Sequence, residues 1–466
     1  MNLKTNFHYT YFIYPFLISE SKYKDFVGKF FKDSNWEFVM HDMAANLNTY
    51  SYFLPYVKKF LMPTIYWGEG YKKSFEKLSD KKKIDIISRL TCSNFRYKIE
   101  EKEESDGQCD ITGIKCRITN LELICFEPGI CFLVLKTRID KEGQLYTNDI
   151  LDFNYKFRTL NPKYLKKKKS EGILLQNVEF ACAEDLSSFI NNMLYGFEDV
   201  EKENIYFDRL FTYSYLCLDE SEWNENRNLD EIINEFYKFQ YVLPDDYGST
   251  FDPAFKGIKE NTYTRWKYSI YGFSRESGVV FSSEREAFNT LKLPKYYETM
   301  YFYIFLLAFY QRVSLILFSE ELMAGGGKNI ERLKDRLTKF THFSWFSQIT
   351  NSEQGMDIWK KWQKAFDLPE LFDEVQKEYS EYYGYLAARG QERINLILIV
   401  IYTVSMLFSG ISLLISFHTI DTYSSFMKAL VSIMFAISVL VYPFYAIRKS
   451  IKRRLWVKNN SIGRDK

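Results

Sequence analysis

The sequence predicts an α+β, α/β-layered cytoplasmic domain, followed by a helical layer, a long stalk helix and a two-helix transmembrane hairpin. Three observations support this fold class. β-rich segments are confined to roughly the first 290 of the 466 residues. From Pro294 onward the apolar residues recur mostly at helical spacing. Two uninterrupted apolar runs of membrane-spanning length then lie close to the C-terminus.

The clearest strand pair lies in the first third of the chain. Gly113–Phe126 alternates between apolar and polar residues, and Ile130–Ile139 is mostly apolar, with Glu127-Pro-Gly129 between them. Two β-rich runs around a Pro-Gly turn predict a hairpin. The N-terminal segment has an apolar stretch of only eight residues, interrupted by Pro15, which predicts an early strand rather than a signal peptide.

Further segments complete the predicted sheet domain. Ile205–Leu218 is another strand region, and two short strands are expected around Tyr271–Phe273 and Ser277–Gly278. Helices are expected between the strands, over Lys22–Phe31, Tyr71–Leu90, Asn148–Thr159 and Leu229–Phe239.

The helical layer begins with Tyr296–Met323, which is long and apolar enough to resemble a membrane span. Gln311 and Arg312 interrupt its centre, so we expect a buried helix of a soluble bundle instead. Two more helices are predicted, over Asn329–Ile349 and Glu353–Phe366.

A stalk helix is predicted to connect this layer to the C-terminal apolar runs. Asp367 is in a capping position, Pro369 suits a first helical turn, and no further proline occurs before Pro443. We therefore expect one unbroken helix from Pro369 into Phe417, about 70 Å long at 1.5 Å per residue. A rigid helix of that length can transmit motion from one domain to another.

The two apolar runs, Ile394–Phe417 and Phe426–Ile447, are each long enough to cross the hydrocarbon core as a helix. The first has no charge over 24 residues, and the second has only Lys428, near one end. The eight residues His418–Ser425 between them favour a tight helical hairpin. The alternative, two buried core helices, does not explain two such runs in one otherwise polar tail.

Basic residues set the expected orientation. Arg389 and Arg393 precede the first run, six Lys or Arg residues follow the second between Arg448 and Lys458, and the loop between the runs has none. The positive-inside rule then places both termini in the cytoplasm, in a multi-pass protein of the inner (plasma) membrane. The predicted divisions are the α/β domain 1–293, helical layer 294–366, stalk 367–393, first transmembrane helix 394–417, outer loop 418–425, second transmembrane helix 426–447 and basic tail 448–466.

The first apolar run contains a polar stripe, whose members are Asn395, Tyr402, Ser405, Ser409, Ser412 and Ser416. At 100° per residue they fall within roughly 100° of arc, on one face of the helix. A ring of identical subunits would turn this face towards a water-filled axis, so we predict that the stripe lines a pore. The alternative is that the serines and Gly410 only allow close helix packing.

Composition and motifs argue against several functions. The 62 basic and 60 acidic residues give a net charge of +2, which offers no basis for direct nucleic-acid binding. Seven cysteines form no CxxC pair, and the four histidines are dispersed, which argues against a zinc site. No nucleophile elbow or HExxH motif is present. The glycine-rich segment Ala324-Gly-Gly-Gly-Lys328 does not match the phosphate-loop pattern. We therefore expect neither enzymatic activity nor a cofactor.

The order of elements resembles the CorA family of divalent-metal channels, and Arg448–Trp456 is similar to the basic, Trp-containing C-terminus of that family. The resemblance implies a homo-oligomer, a pentamer in the family, that resides in the lipid bilayer and conducts a divalent cation. The family signature Gly-Met-Asn is replaced here by Ser416–Tyr423. Only His418 and Asp421 offer metal-binding side chains at this outer mouth, so magnesium selectivity is not implied.

Two stretches, Ala308–Glu321 and Phe346–Gly355, are similar to a divergent bacterial branch of that family. Members of the branch occur beside type III CRISPR systems. The resemblance implies an antiviral effector channel gated by a nucleotide second messenger, an S-adenosylmethionine–AMP conjugate. Such a channel needs to leak ions on command, and it does not need the magnesium signature.

A nucleotide ligand requires cations and aromatic rings. The candidate ligand contacts are Arg158, Arg209, Arg265 and Trp266, with Asn154 as a polar partner. Two other functions stay open at the level of sequence. One is a divalent-cation (magnesium) transporter of the CorA family, which predicts acidic residues at the outer mouth. The other is a membrane-anchored enzyme, for which no catalytic motif is present.

Overall fold

A computed structural model describes residues 2–42, 47–99, 108–111, 114–127, 129–160, 186–195, 209–225, 229–245, 260–323, 330–419, 425–427, 429–430 and 433–434. The chain divides into two compact units, Met1–Val375 and Gln376–Lys466. The boundary between them falls within the predicted stalk helix.

The described part of the first unit contains a mixed sheet of eleven strands. The strands are β1 (Lys4–Leu17), β2 (Trp36–Phe38), β3 (Cys92–Tyr97), β4 (Gln108–Ile111), β5 (Ile114–Phe126), β6 (Ile130–Asp140), β7 (Leu145–Tyr146), β8 (Phe211–Leu218), β9 (Thr262–Trp266), β10 (Ser269–Phe273) and β11 (Ser277–Ser283). Their order is β2-β3-β5-β6-β1-β8-β11-β10-β9, with β4 beside β5 and β7 beside β1. β8 and β11 run parallel, whereas β1 is antiparallel to both β6 and β8.

Helices of the described residues lie between the strands of this sheet and follow its last strand. They are α1 (Glu20–Lys32), α2 (Leu47–Tyr52), α3 (Pro55–Leu61), α4 (Glu69–Glu76), α5 (Asp80–Ile87), α6 (Thr147–Phe157), α7 (Leu186–Met193), α8 (Leu229–Tyr241), α9 (Ala287–Leu291), α10 (Leu293–Tyr296), α11 (Phe302–Met323), α12 (Ile330–Phe343), α13 (Glu353–Ala365) and α14 (Leu368–Thr419). A 3-10 turn occupies Pro63–Tyr66, and a π-helical turn, Tyr297–Tyr301, joins α10 to α11.

The early strand and the β5–β6 hairpin are confirmed. β1 lies in the middle of the sheet and is buried along most of its length, because its apolar and aromatic residues alternate between two covered faces. The hairpin closes where Phe126 pairs with Ile130. Gly129 in this turn has a φ of +127°, and a Cβ there would collide with the carbonyl oxygen of Ile18, so the turn requires glycine.

Helices cover both faces of the sheet in the first unit. On one face, Phe157 of α6 packs on Phe12 of β1 with ring centroids 4.3 Å apart. On the other face, Phe305 of α11 packs on Phe211 of β8 at 4.6 Å, and Trp362 of α13 meets Phe273 of β10 at 5.0 Å. Successive strand residues point to opposite faces, which explains why these strands are apolar at nearly every position.

Two helices in the described part of the chain are long and apolar enough to cross a membrane. In the first, Leu293–Met323, 78% of the most apolar stretch is buried, as expected for a core helix. The helix packs both on the sheet, where Phe309 contacts Phe132, and on α12, where Phe318 contacts Phe340. Gln311 remains buried because its amide donates to the carbonyl of Ser344 at 2.7 Å.

The second apolar helix, α14, runs unbroken from Leu368 to Thr419, which confirms the predicted continuous helix and extends it by one residue at its start and two at its end. None of its most apolar stretch is buried. Asp367 lies at the predicted capping position, where its carbonyl accepts from the Leu371 amide, and its carboxylate pairs with Arg275. Of the second predicted span, residues 426–427, 429–430 and 433–434 are helical, and the remainder of that span and the basic tail lie outside the described residues.

Two helix predictions and one strand prediction also need correction. Tyr71–Leu90 is not one helix but two, because α4 ends at Glu76 and α5 begins at Asp80. The helix predicted over Asn329–Ile349 is shorter and ends at Phe343. The region predicted as two short strands near Tyr271 contains three, β9 to β11.

Candidate functional site

Two of the predicted ligand contacts converge on one carboxylate. Arg158 follows the last turn of α6 and is 1% exposed. Its guanidinium Nη1 donates to Oε2 of Glu276 at 3.1 Å, and Nη1 of Arg209 lies 3.7 Å from the same oxygen. We call Arg158, Arg209 and Glu276 the arginine cluster.

Backbone pairing explains why residues so far apart in sequence meet here. Thr159 and Arg209 form an isolated β-bridge, and the amide of Leu210 donates to the carbonyl of Arg158 at 2.7 Å. Glu276 lies in the tight turn between β10 and β11, and its carbonyl accepts from the amide of Thr212 at 3.1 Å. The start of β8 therefore holds the end of α6 and this turn together.

Three buried residues on the elements that form the cluster have a side-chain polar atom without a hydrogen-bond partner among the described residues. These atoms are Asn154 Oδ1, Arg158 Nε and Thr212 Oγ1. The amide nitrogen of Asn154 is satisfied, since it donates to Ser214 Oγ at 3.1 Å. A buried polar group without a partner costs about 1–3 kcal/mol, so such a group indicates strain or a site for a ligand or water.

The charge balance of the cluster favours an anion. Burial lowers the pKa of Arg158 to about 10, which still leaves the guanidinium cationic at neutral pH. Two guanidinium groups therefore face one carboxylate, and the side chain of Glu276 is 54% exposed. An incoming phosphate has access to the position that the Glu276 carboxylate occupies, and arginine is well suited to bind it.

The other two predicted ligand contacts form a separate pair on β9, the edge strand. The guanidinium of Arg265 lies 5.6 Å from the ring centroid of Trp266, which is 51% exposed. Arg265 also donates to Glu353 at 2.9 Å, and hydrogen bonds to Tyr263 and Glu353 raise the pKa of Arg265. The structure thus divides the five candidates into two groups. Asn154, Arg158 and Arg209 form one group, and Arg265 and Trp266 on β9 form the other.

The polar stripe of α14 lies entirely on exposed positions, at Asn395, Tyr402, Ser405, Ser409, Ser412 and Ser416. The half-buried positions of the same helix segment form a second stripe, at Glu392, Leu396, Ile399, Thr403, Leu407 and Gly410. Helical geometry places the centres of the two stripes roughly 130° apart. The part of the chain that the structure describes therefore leaves the polar face uncovered.

The predicted outer mouth is described only in part. His418 belongs to the last turn of α14, and Asp421 lies outside the described residues. Among the residues that the structure describes, no three His, Cys, Asp or Glu side chains are grouped closely enough to hold a metal ion.

Sequence reasoning missed Glu276, Arg275 and Thr212. One signal was available, because Arg275 and Glu276 are adjacent opposite charges in the turn between two predicted strands. Thr212 gave no signal, since its position inside a buried strand is typical of a core threonine. Its role depends on contacts between elements that sequence spacing does not specify.

Comparisons with protein-family models, with curated proteins and with solved structures find no match for this chain. The CorA resemblance therefore remains an expectation from the sequence.

Proposed function

We propose that the protein is a homo-oligomeric membrane channel of CorA-like organisation, gated by a nucleotide second messenger. In this proposal the arginine cluster binds an anionic part of the messenger, and the polar stripes of several subunits line the pore. The physiological outcome is disruption of membrane ion balance during antiviral defence, as the resemblance to type III CRISPR-associated members implies.

The observation on which the proposal depends most is the exposed polar stripe on an apolar helix. The lipid environment is unfavourable for a row of hydroxyl and amide groups, so in a membrane such a face turns towards protein or water. The second half-buried stripe lies on another side of the helix. A ring of subunits turns the polar faces towards one common axis and leaves the half-buried stripe of each helix on another side.

The arginine cluster supports ligand gating rather than permanent conduction. A guanidinium that is 1% exposed is expensive to bury, and one half-exposed carboxylate compensates it only in part. A phosphate group brings more charge and more acceptor oxygens than the carboxylate, which favours exchange of one for the other. The ligand then shifts the channel by its differential affinity for the closed and open states.

The proposed location is the inner membrane, with both termini in the cytoplasm. Basic residues flank the two apolar runs on the cytoplasmic side in this topology, and the loop His418–Ser425 without Lys or Arg faces outward. The pore is proposed to be poorly selective, because the family's metal-binding signature is absent from this loop.

Binding of labelled nucleotides to the detergent-purified full-length protein tests the proposal. The panel includes the S-adenosylmethionine–AMP conjugate, ATP and AMP. We expect saturable binding of the conjugate at low micromolar concentration or tighter, which corresponds to about −8 kcal/mol. Absence of binding by every nucleotide, together with magnesium uptake that depends on Asp421, would instead identify a divalent-cation transporter.

A further inference from the structure

The turn between β10 and β11 connects the arginine cluster to the beginning of α14. Only Arg275 and Glu276 stand at its tip, between the buried residues Ser274 and Ser277. The Ser274 amide donates to the Ser277 carbonyl at 2.8 Å, and the Ser277 amide donates to Ser274 Oγ at 2.9 Å. These bonds close the turn tightly, so its two tip residues move together.

One side of the turn contacts the proposed ligand site. The Glu276 carboxylate accepts from Arg158 at 3.1 Å and lies 3.7 Å from Arg209. A phosphate bound by these two arginines would repel the carboxylate at short range. Because the Glu276 side chain is half exposed, it is free to turn into water when displaced.

The other side of the turn contacts the residue from which α14 starts. The Arg275 guanidinium pairs with the Asp367 carboxylate, and the Arg275 carbonyl accepts from Nη1 of Arg312, on α11, at 2.9 Å. The Asp367 carbonyl accepts from the amide of Leu371 at 3.0 Å, which is a bond of the first turn of α14. Arg275 therefore contacts Asp367, which lies between the end of α13 and the start of α14.

The backbone of Asp367 is held in an unfavourable conformation. Its φ is +51°, in the left-handed region, which costs a non-glycine residue about 1 kcal/mol or more. Such a conformation persists only where the surroundings fix it, and the ion pair with Arg275 is one of those contacts. Loss of that contact frees the junction to relax.

We infer that the Arg275–Glu276 dipeptide is a coupling element: an anion that binds Arg158 and Arg209 displaces Glu276, and the turn then shifts Arg275 and its partner Asp367 at the start of α14. This inference rests on the proposed function and assigns its regulation to named residues. Glu276 contacts the arginine cluster on one side of the tight turn and Arg275 contacts Asp367 on the other, so a displacement of Glu276 is transmitted to Arg275. In this inference, the α13–α14 junction is the element that switches between the closed and open arrangements.

The test uses Arg275→Gln and Asp367→Asn in the full-length protein, singly and together. Both side chains are substantially exposed, so these substitutions preserve the fold, and asparagine tolerates the left-handed backbone of position 367. Binding of the labelled S-adenosylmethionine–AMP conjugate is expected to stay within about threefold of wild type, while conjugate-triggered ion flux from lipid vesicles falls about tenfold. The double variant is expected to be no worse than either single variant, because the pair acts as a unit.

Arg285→Gln is the matched control, since Arg285 forms a similarly exposed ion pair with Glu220 away from this turn. It is expected to leave flux unchanged. Full flux in Arg275→Gln and Asp367→Asn, with wild type opening normally, overturns the coupling element and leaves the proposed function intact. If wild type neither binds the conjugate nor releases ions, both proposals fail.

Discussion

Replacing Ser405, Ser409 and Ser412 with leucine is expected to abolish messenger-triggered ion flux. The three serines lie on the exposed polar stripe of α14. In a ring of subunits, leucine at these positions turns the lining apolar and narrow, and such constrictions block ions by losing water. We expect the flux measured in lipid vesicles to fall by at least about tenfold.

Two control variants separate the pore from simple helix packing. Alanine at the same three positions keeps the residues small but removes the hydroxyl groups, so the pore account predicts reduced flux and the packing account predicts normal flux. Thr403→Val removes a hydroxyl from the half-buried stripe, where Oγ1 of Thr403 already donates to the carbonyl of Ile399 at 2.7 Å. That variant is expected to conduct normally. Normal flux in the alanine variant would contradict the pore assignment.

Substitutions at Arg209 and Glu276 are expected to change messenger affinity in opposite directions. Arg209→Gln removes one of the two cations of the arginine cluster, and a charge-assisted hydrogen bond is worth about 1.5–3 kcal/mol. The dissociation constant is then expected to rise about ten- to a hundredfold. Glu276→Gln removes the carboxylate that competes with the ligand, so the dissociation constant is expected to fall by about tenfold. Titration of the labelled conjugate measures both.

Arg265→Gln is the matched control for this pair. The Arg265 side chain is 37% exposed and the Arg209 side chain 39%, and each lies near a glutamate. The control removes the same charge from a comparable surface position, and we expect unchanged affinity. Weaker binding in Arg265→Gln with normal binding in Arg209→Gln would move the ligand site to the edge strand β9.

Much of the fold was predictable because it depends on local patterns. The β5–β6 hairpin followed from alternation and a Pro-Gly turn, and the unbroken helix Leu368–Thr419 followed from the absence of proline. The apolar helix Leu293–Met323 was correctly expected to be buried, because Gln311 and Arg312 interrupt it. Its packing on the sheet was not predictable, since almost every face of this helix is apolar and periodicity gives no direction.

The candidate site was predictable only in part. Arginine and asparagine were chosen because their side chains suit a nucleotide, but the five candidates resolve into two separate groups in the structure. The partner of Arg158 and Arg209 is a turn residue more than 60 positions away, and the pairing depends on β8 and β11 being parallel neighbours. Sheet order of this kind arises from tertiary packing and is not encoded in the spacing of any one segment.

Ion flux from lipid vesicles that contain the full-length protein shows whether the messenger opens the channel. A dye-release or ion-sensitive assay is run with the S-adenosylmethionine–AMP conjugate, with AMP alone and without nucleotide. The account predicts flux that begins only after the conjugate is added, saturates with its concentration and is weak in Arg209→Gln. Flux that is the same with and without the conjugate, or no flux at saturating conjugate, would contradict a ligand-gated channel.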